Sequence, residues 1–191
     1  MSQKKDKTKI LFFRESVFEV AKLIFNNPNK TYHIRMLEKE TGFSTTAVID
    51  AIKELKKFEI VTIEETPLTT NVKANLESEA YSFYKLVFDL YRLKRYNFIN
   101  NLVNAFSNPE AIVFFGSFAK GEDIEKSDID ILIVYSNKPD EYLDDDFVSV
   151  FEKEFNRKIN IHVLTSLNKS SKEFKNAVAN GIVLHGYLKV I

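Results

Sequence analysis

Apolar residues recur at helical spacing over residues 10–25, at Ile10, Phe13, Val17, Val20 and Ile24, which predicts an amphipathic helix. Asn26-Asn27-Pro28-Asn29 stops it, because proline cannot continue the backbone bonding. Residues 32–41 predict a short helix that turns Ile34 and Leu37 inward. Gly42 follows as a turn residue, and Ser44 is a favoured cap for a helix over residues 45–58. The stripe of that helix is Val48, Ile52 and Leu55, supported by Ala51. Residues 60–63 then alternate as a strand, 64–71 read as a hairpin tip, and 72–76 as the returning strand. Residues 77–106 predict one long helix with a weak point near Asn97. Its aromatic and aliphatic residues cover more than one packing partner needs. Arg92, Lys94 and Arg95 on it read as a solvated basic patch.

The second half changes rhythm. An apolar run over 111–115 ends abruptly at Gly116-Ser117, and a polar stretch carrying Gly121 follows. A second apolar run begins with Asp128 and Asp130 in alternation with Ile129, Ile131 and Ile133. Strand side chains repeat every two residues, so the two carboxylates face one side and the isoleucines the other. Residues 140–157 predict a helix, and the acids Asp144-Asp145-Asp146 in it read as a solvated face, since consecutive helix positions fan apart. Residues 159–164 predict a third strand with Asn160 and His162 on one side. A helix over 172–180, Gly181 and a closing segment over 182–186 complete the pattern.

Composition narrows the class. Hydrophobic residues make up 45% and charged residues 28%, the profile of a soluble globular protein. Cysteine is absent, which removes disulfides and thiolate metal sites and fits a cytoplasmic location. No apolar run has the length of a membrane span, and no signal-type stretch follows the basic N-terminus. There are 13 basic and 10 acidic residues through Asn75, and 14 against 17 afterwards. The first half thus permits a nucleic-acid partner without demanding one.

The two acids supply the chemistry. Carboxylates side by side repel, and a divalent cation removes the conflict. Mg²⁺ takes one or two carboxylates and completes its shell with phosphate oxygens and water. Gly116-Ser117, ten residues, then Asp128-Ile129-Asp130 resembles the signature of the nucleotidyltransferase superfamily, the fold of polymerase beta, and most closely its minimal stand-alone members. The resemblance covers about residues 97–191. It implies an α/β domain with a small mixed sheet, a nucleoside triphosphate lying across the start of a helix after Gly-Ser, and Mg²⁺ (or Mn²⁺) held by Asp128 and Asp130. Gly116 and Ser117 would bind phosphate, with Lys120 either touching a phosphate or solvated. The family's third carboxylate falls at Asn160, which carries no charge and is no general base. His162, two residues on, is either a substitute base or ligand or a half-buried strand histidine.

The first half, three helices with a Gly-Phe-Ser turn and a hairpin, resembles a winged helix-turn-helix domain. That implies either DNA binding, through Ser44, Thr45 and Thr46 on the second motif helix and Thr69, Thr70, Asn71 and Lys73 on the wing, or a module for dimerisation and packing. The expected organisation is α+β in two domains: an arm over 1–9, a winged helix over 10–76, a connecting helix over 77–106 and a transferase domain over 107–191. Two functions follow. One is an enzyme that transfers a nucleoside monophosphate to a hydroxyl of a small molecule or partner protein; small relatives with this motif act as antitoxins on a separate helical HEPN toxin. The other is a DNA-binding regulator whose degenerate transferase domain senses nucleotide. Either is expected to be a homodimer.

Overall fold

The computed structural model describes residues 14–135 and 145–189, and the chain divides into two units, Met1–Ser78 and Glu79–Ile191. The first runs α1 (Glu15–Asn26), β1 (Tyr32–His33), α2 (Ile34–Thr41), α3 (Thr45–Lys57), β2 (Val61–Glu65) and β3 (Thr70–Ala74). Residues 1–9, with Ile10 and Phe13 of the predicted first helix, lie outside the described residues. α1 packs on α2 and α3, and Val17, Ala21, Leu37, Val48, Ile52 and Leu55 are buried. Gly42 ends α2 in a left-handed conformation, φ 74°, where glycine is under no penalty. Ser44 caps α3 by accepting a hydrogen bond from the Ala47 N–H at 3.4 Å.

Tyr32 and His33 correct the periodicity reading. They form strand rather than helix, pairing with Val72 and Asn71 of β3. The Tyr32 ring is wholly buried, and its hydroxyl donates to the Leu23 carbonyl at 3.0 Å. The resulting antiparallel sheet has the order β1-β3-β2. The hairpin tip is shorter than predicted. Thr66 and Thr69 close it, with the Thr66 hydroxyl donating to the Thr69 carbonyl at 2.9 Å.

The second unit runs α4 (Glu79–Arg95), α5 (Phe98–Ala105), β4 (Ala111–Phe115), β5 (Ile129–Val134), α6 (Asp145–Phe155), β6 (Ile159–Leu164), α7 (Lys172–Ala179) and β7 (Ile182–Gly186). The weak point at Asn97 is a true break: its φ of 55° ends one helix and starts the next. The turn redirects the chain so that Phe98 and Leu102 join the core. The sheet is mixed, in the order β6-β5-β4-β7, with β5 and β6 parallel and the other pairs antiparallel.

Alternation sends Ile112, Phe114, Ile129, Ile131, Ile133 and Ile159 to one face, against Phe98, Leu102, Phe151 and Phe155. Val113, Phe115, Leu132 and Val134 take the other face with Leu167 and Val178. Arg92 departs from expectation: it is 1% exposed, inside a charge network rather than in solvent. Lys94 and Arg95 are exposed. Asp144 and the side chains of Asp145 and Asp146 lie outside the described residues. No helix among the described residues is long and apolar enough to cross a membrane.

Candidate functional site

The site is built at the end of the β4–β5–β6 sheet where Gly116 leaves β4. Gly116 has φ 77°, a conformation that L side chains rarely adopt. A Cβ there would stand 2.9 Å from Asp130 Oδ2, so the missing side chain is what lets the turn lie against that carboxylate. The stretch after Ser117 is not the predicted helix. It is a single 3-10 turn, Phe118–Lys120, closed by the Lys120 and Gly121 N–H groups bonding to the Ser117 and Phe118 carbonyls. So short a turn lacks the aligned dipoles of a helix N-terminus. The Ser117 hydroxyl makes no capping bond in it, and Lys120 is exposed.

Asp128 precedes β5 and is exposed, while Asp130, within β5, is partly buried. Asp130 lies opposite Phe115 on one side and Asn160 on the other. Asn160 brings the acids together: its Nδ2 donates to Asp128 Oδ2 at 3.2 Å and to Asp130 Oδ1 at 3.4 Å. Two carboxylate oxygens therefore converge on one point. His162 Nε2 lies 3.7 Å from Asp130 Oδ1. The imidazole is held between Phe115 and Phe174, with ring centroids 5.5 and 5.4 Å away. Phe174 comes from α7 and was not legible as a neighbour of the site from its sequence position.

A second missed feature anchors this edge. Lys85 on α4 pairs with Asp89 at 2.7 Å and with Asp123, in the loop before β5, at 2.5 Å. Asp123 also accepts from Arg157 Nε at 3.1 Å. Arg92 pairs with Asp89 at 3.2 Å and donates to the Glu154 carbonyl. Lys85, Asp89, Arg92, Asp123 and Arg157 are all nearly fully buried. Gly121, in the same loop at φ 69°, lies so close to α4 that a side chain would run into the Ser82 carbonyl. The loop joining the glycine turn to Asp128 is thus pinned at two points, and Arg157 ties in the entry to β6. The signal available beforehand was the spacing of Lys85, Asp89 and Arg92, which share one helical face.

Glu152 secures β6 from another side. Its carboxylate accepts from the Ile159 N–H at 3.0 Å and meets Lys158 at 3.2 Å. The Ile159 bond, followed by Lys158, holds its pKa below the ordinary carboxylate value against the opposing effect of desolvation.

Among the described residues, no group of three or more His, Asp or Glu could hold a metal ion. The donor set is two carboxylates and a neutral amide. That set still fits Mg²⁺, which relies on one or two carboxylates with substrate phosphates rather than on an all-protein cage. The converging oxygens of Asp128 and Asp130 would supply the carboxylate part of such a shell.

In the first unit, Ser44, Thr45 and Thr46 are exposed together at the start of α3. Lys73 on the hairpin is exposed too, but faces Glu64 at 3.9 Å. Glu64 and Glu65 place acids on the same hairpin.

Comparison with curated proteins and with solved structures returns no match. Residues 97–187, the stretch that carries Gly116, Ser117, Asp128, Asp130, Asn160 and His162, match the family model described as Polymerase beta, Nucleotidyltransferase, and this supports the nucleotidyltransferase superfamily for that part of the chain.

Proposed function

We propose that the second unit binds a nucleoside triphosphate with Mg²⁺ (or Mn²⁺) and transfers the nucleoside monophosphate slowly to an acceptor hydroxyl. The observation that carries this reading is the convergence of Asp128 and Asp130 beside the Gly116 turn, inside the family-matched stretch. Gly116 lets phosphate oxygens approach the backbone, and the Ser117 hydroxyl donates to one of them. Asp128 and Asp130 would hold the cation, and the Asn160 side chain would add at most a neutral amide oxygen. When bound, the cation neutralises charge on the phosphates and on the leaving oxygen. The acceptor oxygen forms a bond to the α-phosphorus as the bond to the β-phosphate oxygen breaks, and pyrophosphate leaves. His162 Nε2, 3.7 Å from Asp130 Oδ1, would take the acceptor proton as a less direct substitute for the missing third carboxylate. Loss of a well-placed base typically slows such a step ~10²–10⁴-fold, and Asn160 supplies none.

Calorimetry with Mg-ATP and Mg-CTP tests the binding half. Heat of binding in the parent, absent in Asp128→Asn with Asp130→Asn, is expected; no heat in the parent refutes it. Transfer from α-labelled nucleotide, raised by Asn160→Asp, tests the second half. The acceptor on this reading is a small molecule or a partner protein, a separate HEPN-type toxin being one case, and the protein is cytoplasmic and dimeric.

A second reading rests on the first unit. Its order of α1, β1, α2, α3, β2 and β3, with a three-stranded antiparallel sheet, supports a winged helix-turn-helix. The hydroxyls of Ser44, Thr45 and Thr46 would then meet DNA, and the second unit would act as a nucleotide sensor. Lys73, opposed by Glu64, contributes little. A gel-shift series on genomic fragments, with and without ATP, separates the two: retarded DNA whose mobility responds to ATP favours the regulator.

A further inference from the structure

Asn160 does more than leave out a charge. Its side-chain nitrogen lies within hydrogen-bond distance of one oxygen from each acid, 3.2 Å from Asp128 and 3.4 Å from Asp130. Two like charges are held close by the one group between them that carries only donors on that side. A primary amide has two N–H groups on nitrogen and an acceptor oxygen on the same planar carbon. Either end can therefore face the carboxylates, by a half-turn about the last side-chain bond. With nitrogen inward the amide satisfies both acids. With oxygen inward it adds a third like dipole and is stable only beside a positive charge. Asn160 sits opposite Asp130 in the parallel β5–β6 pair, so its position does not depend on a mobile loop. Its side chain is exposed, and a half-turn meets no core packing.

We infer that the Asn160 amide is a built-in occupant of the space between Asp128 and Asp130. It holds the two acids in register without a cation, and a divalent cation enters only when the amide turns over and offers Oδ1 in place of Nδ2. The metal must displace two hydrogen bonds to bind, so the free ion binds weakly. This rests on the nucleotide reading for the identity of the cation seat. The holding role stands on the two hydrogen bonds alone.

The test uses the full chain and three proteins: the parent, Asn160→Ala and Asn160→Asp. Melting in EDTA reads the holding role. Both variants are expected to melt below the parent, by about 2–4 °C for a chain of this size, and Asn160→Asp furthest, since it sets three carboxylates together. Equal melting of the parent and Asn160→Ala in EDTA overturns the inference. Titration with Mn²⁺ alone, followed by electron paramagnetic resonance of the free ion, reads the displacement. Asn160→Asp is expected to bind about tenfold tighter than the parent, ligand charge being what tunes such sites. Its melting temperature should recover with the ion. In the parent, the Asn160 side-chain amide signals should move when Mg²⁺ is added, and signals that stay in place at saturating Mg²⁺ refute the turnover. If none of the three proteins binds Mn²⁺, the cation seat fails and the proposed function with it, while the EDTA melts still decide the holding role.

Discussion

Lys85 Nζ and Asp123 Oδ1 lie 2.5 Å apart, both side chains only 2% exposed, one on α4 and the other in the loop that leads from the Gly116 turn to Asp128. Charge removed from water at such a point is tolerated only when paired. Lys85 also meets Asp89 and Asp123 also meets Arg157, so removing either member takes one partner out of a buried network of alternating charge. Asp123→Leu, which takes this anion from Lys85 and Arg157 and leaves Lys85 and Arg92 sharing Asp89, is therefore expected to destabilise the protein by about 3–5 kcal/mol, and Lys85→Met, which leaves Asp123 with Arg157, by clearly less. The double variant, which removes one buried cation and one buried anion together, is expected to lose less than the two single losses summed. Chemical denaturation of the four proteins measures it. Additive losses in the double variant would show that the pair is not coupled.

Gly116 and Gly121 share a left-handed backbone but answer to different neighbours. Gly121→Ala meets the backbone carbonyl of Ser82, which cannot move without α4. Gly116→Ala meets a carboxylate oxygen at the far end of the Asp130 side chain, which can turn aside. Both pay the conformational cost, roughly 1–3 kcal/mol. The prediction is that Gly121→Ala loses clearly more stability than Gly116→Ala. Gly116→Ala, by displacing Asp130, is expected to lose Mg-nucleotide binding in a protein that still folds. Melting curves and calorimetry, run side by side, give the two readouts.

Glu152 predicts an acid-side dependence. Its folded pKa is depressed, chiefly by the Ile159 N–H. Its contribution is present above the unfolded carboxylate pKa and is lost as pH falls through the lower, folded value. Stability of the parent should therefore fall more steeply than that of Glu152→Gln as pH drops from the mid-carboxylate range downward. Parallel slopes in denaturation series across that range would remove Glu152 as the source.

Tyr135 predicts the opposite end. Burial raises its pKa to about 12, and its hydroxyl donates to the Phe106 carbonyl at 2.7 Å. A raised acid pKa means a contribution present below the ordinary tyrosine value of 10.0 and lost as pH rises through about 12. Tyr135→Phe should cost about 1 kcal/mol at neutral pH and abolish one late-titrating phenol. Ultraviolet titration at alkaline pH checks this, the expected difference being a missing step near the top of the curve.

Much of the candidate site was legible beforehand because its logic is local. The break from apolar run to Gly116-Ser117 and the alternation of Asp128 and Asp130 with isoleucines are properties of a single strand and its turn. The cap at Ser44 and the stop at Gly42 are equally local, and both hold. The helix expected after Ser117 fails, since only one tight turn fits before Gly121 packs on α4. Tyr32 and His33 went astray because their strand partner lies in β3, beyond the reach of any window of periodicity. Arg92 was read as solvated because its charge, and not its neighbours, is what a sequence displays.

By itself the sequence determined the facing of the two acids, their spacing from the glycine turn, and the sharing of one strand face by Asn160 and His162. Those follow from the two-residue repeat of an extended backbone and from residue chemistry. The tertiary structure alone decided that Asn160 Nδ2 bridges both acids, that His162 lies between Phe115 and Phe174, and that Asp123 is clamped by Lys85 and Arg157. Each depends on which strand or helix packs beside which. Partners distant in sequence are chosen by burial and pairing over the whole fold, and no stretch of chain carries that information locally.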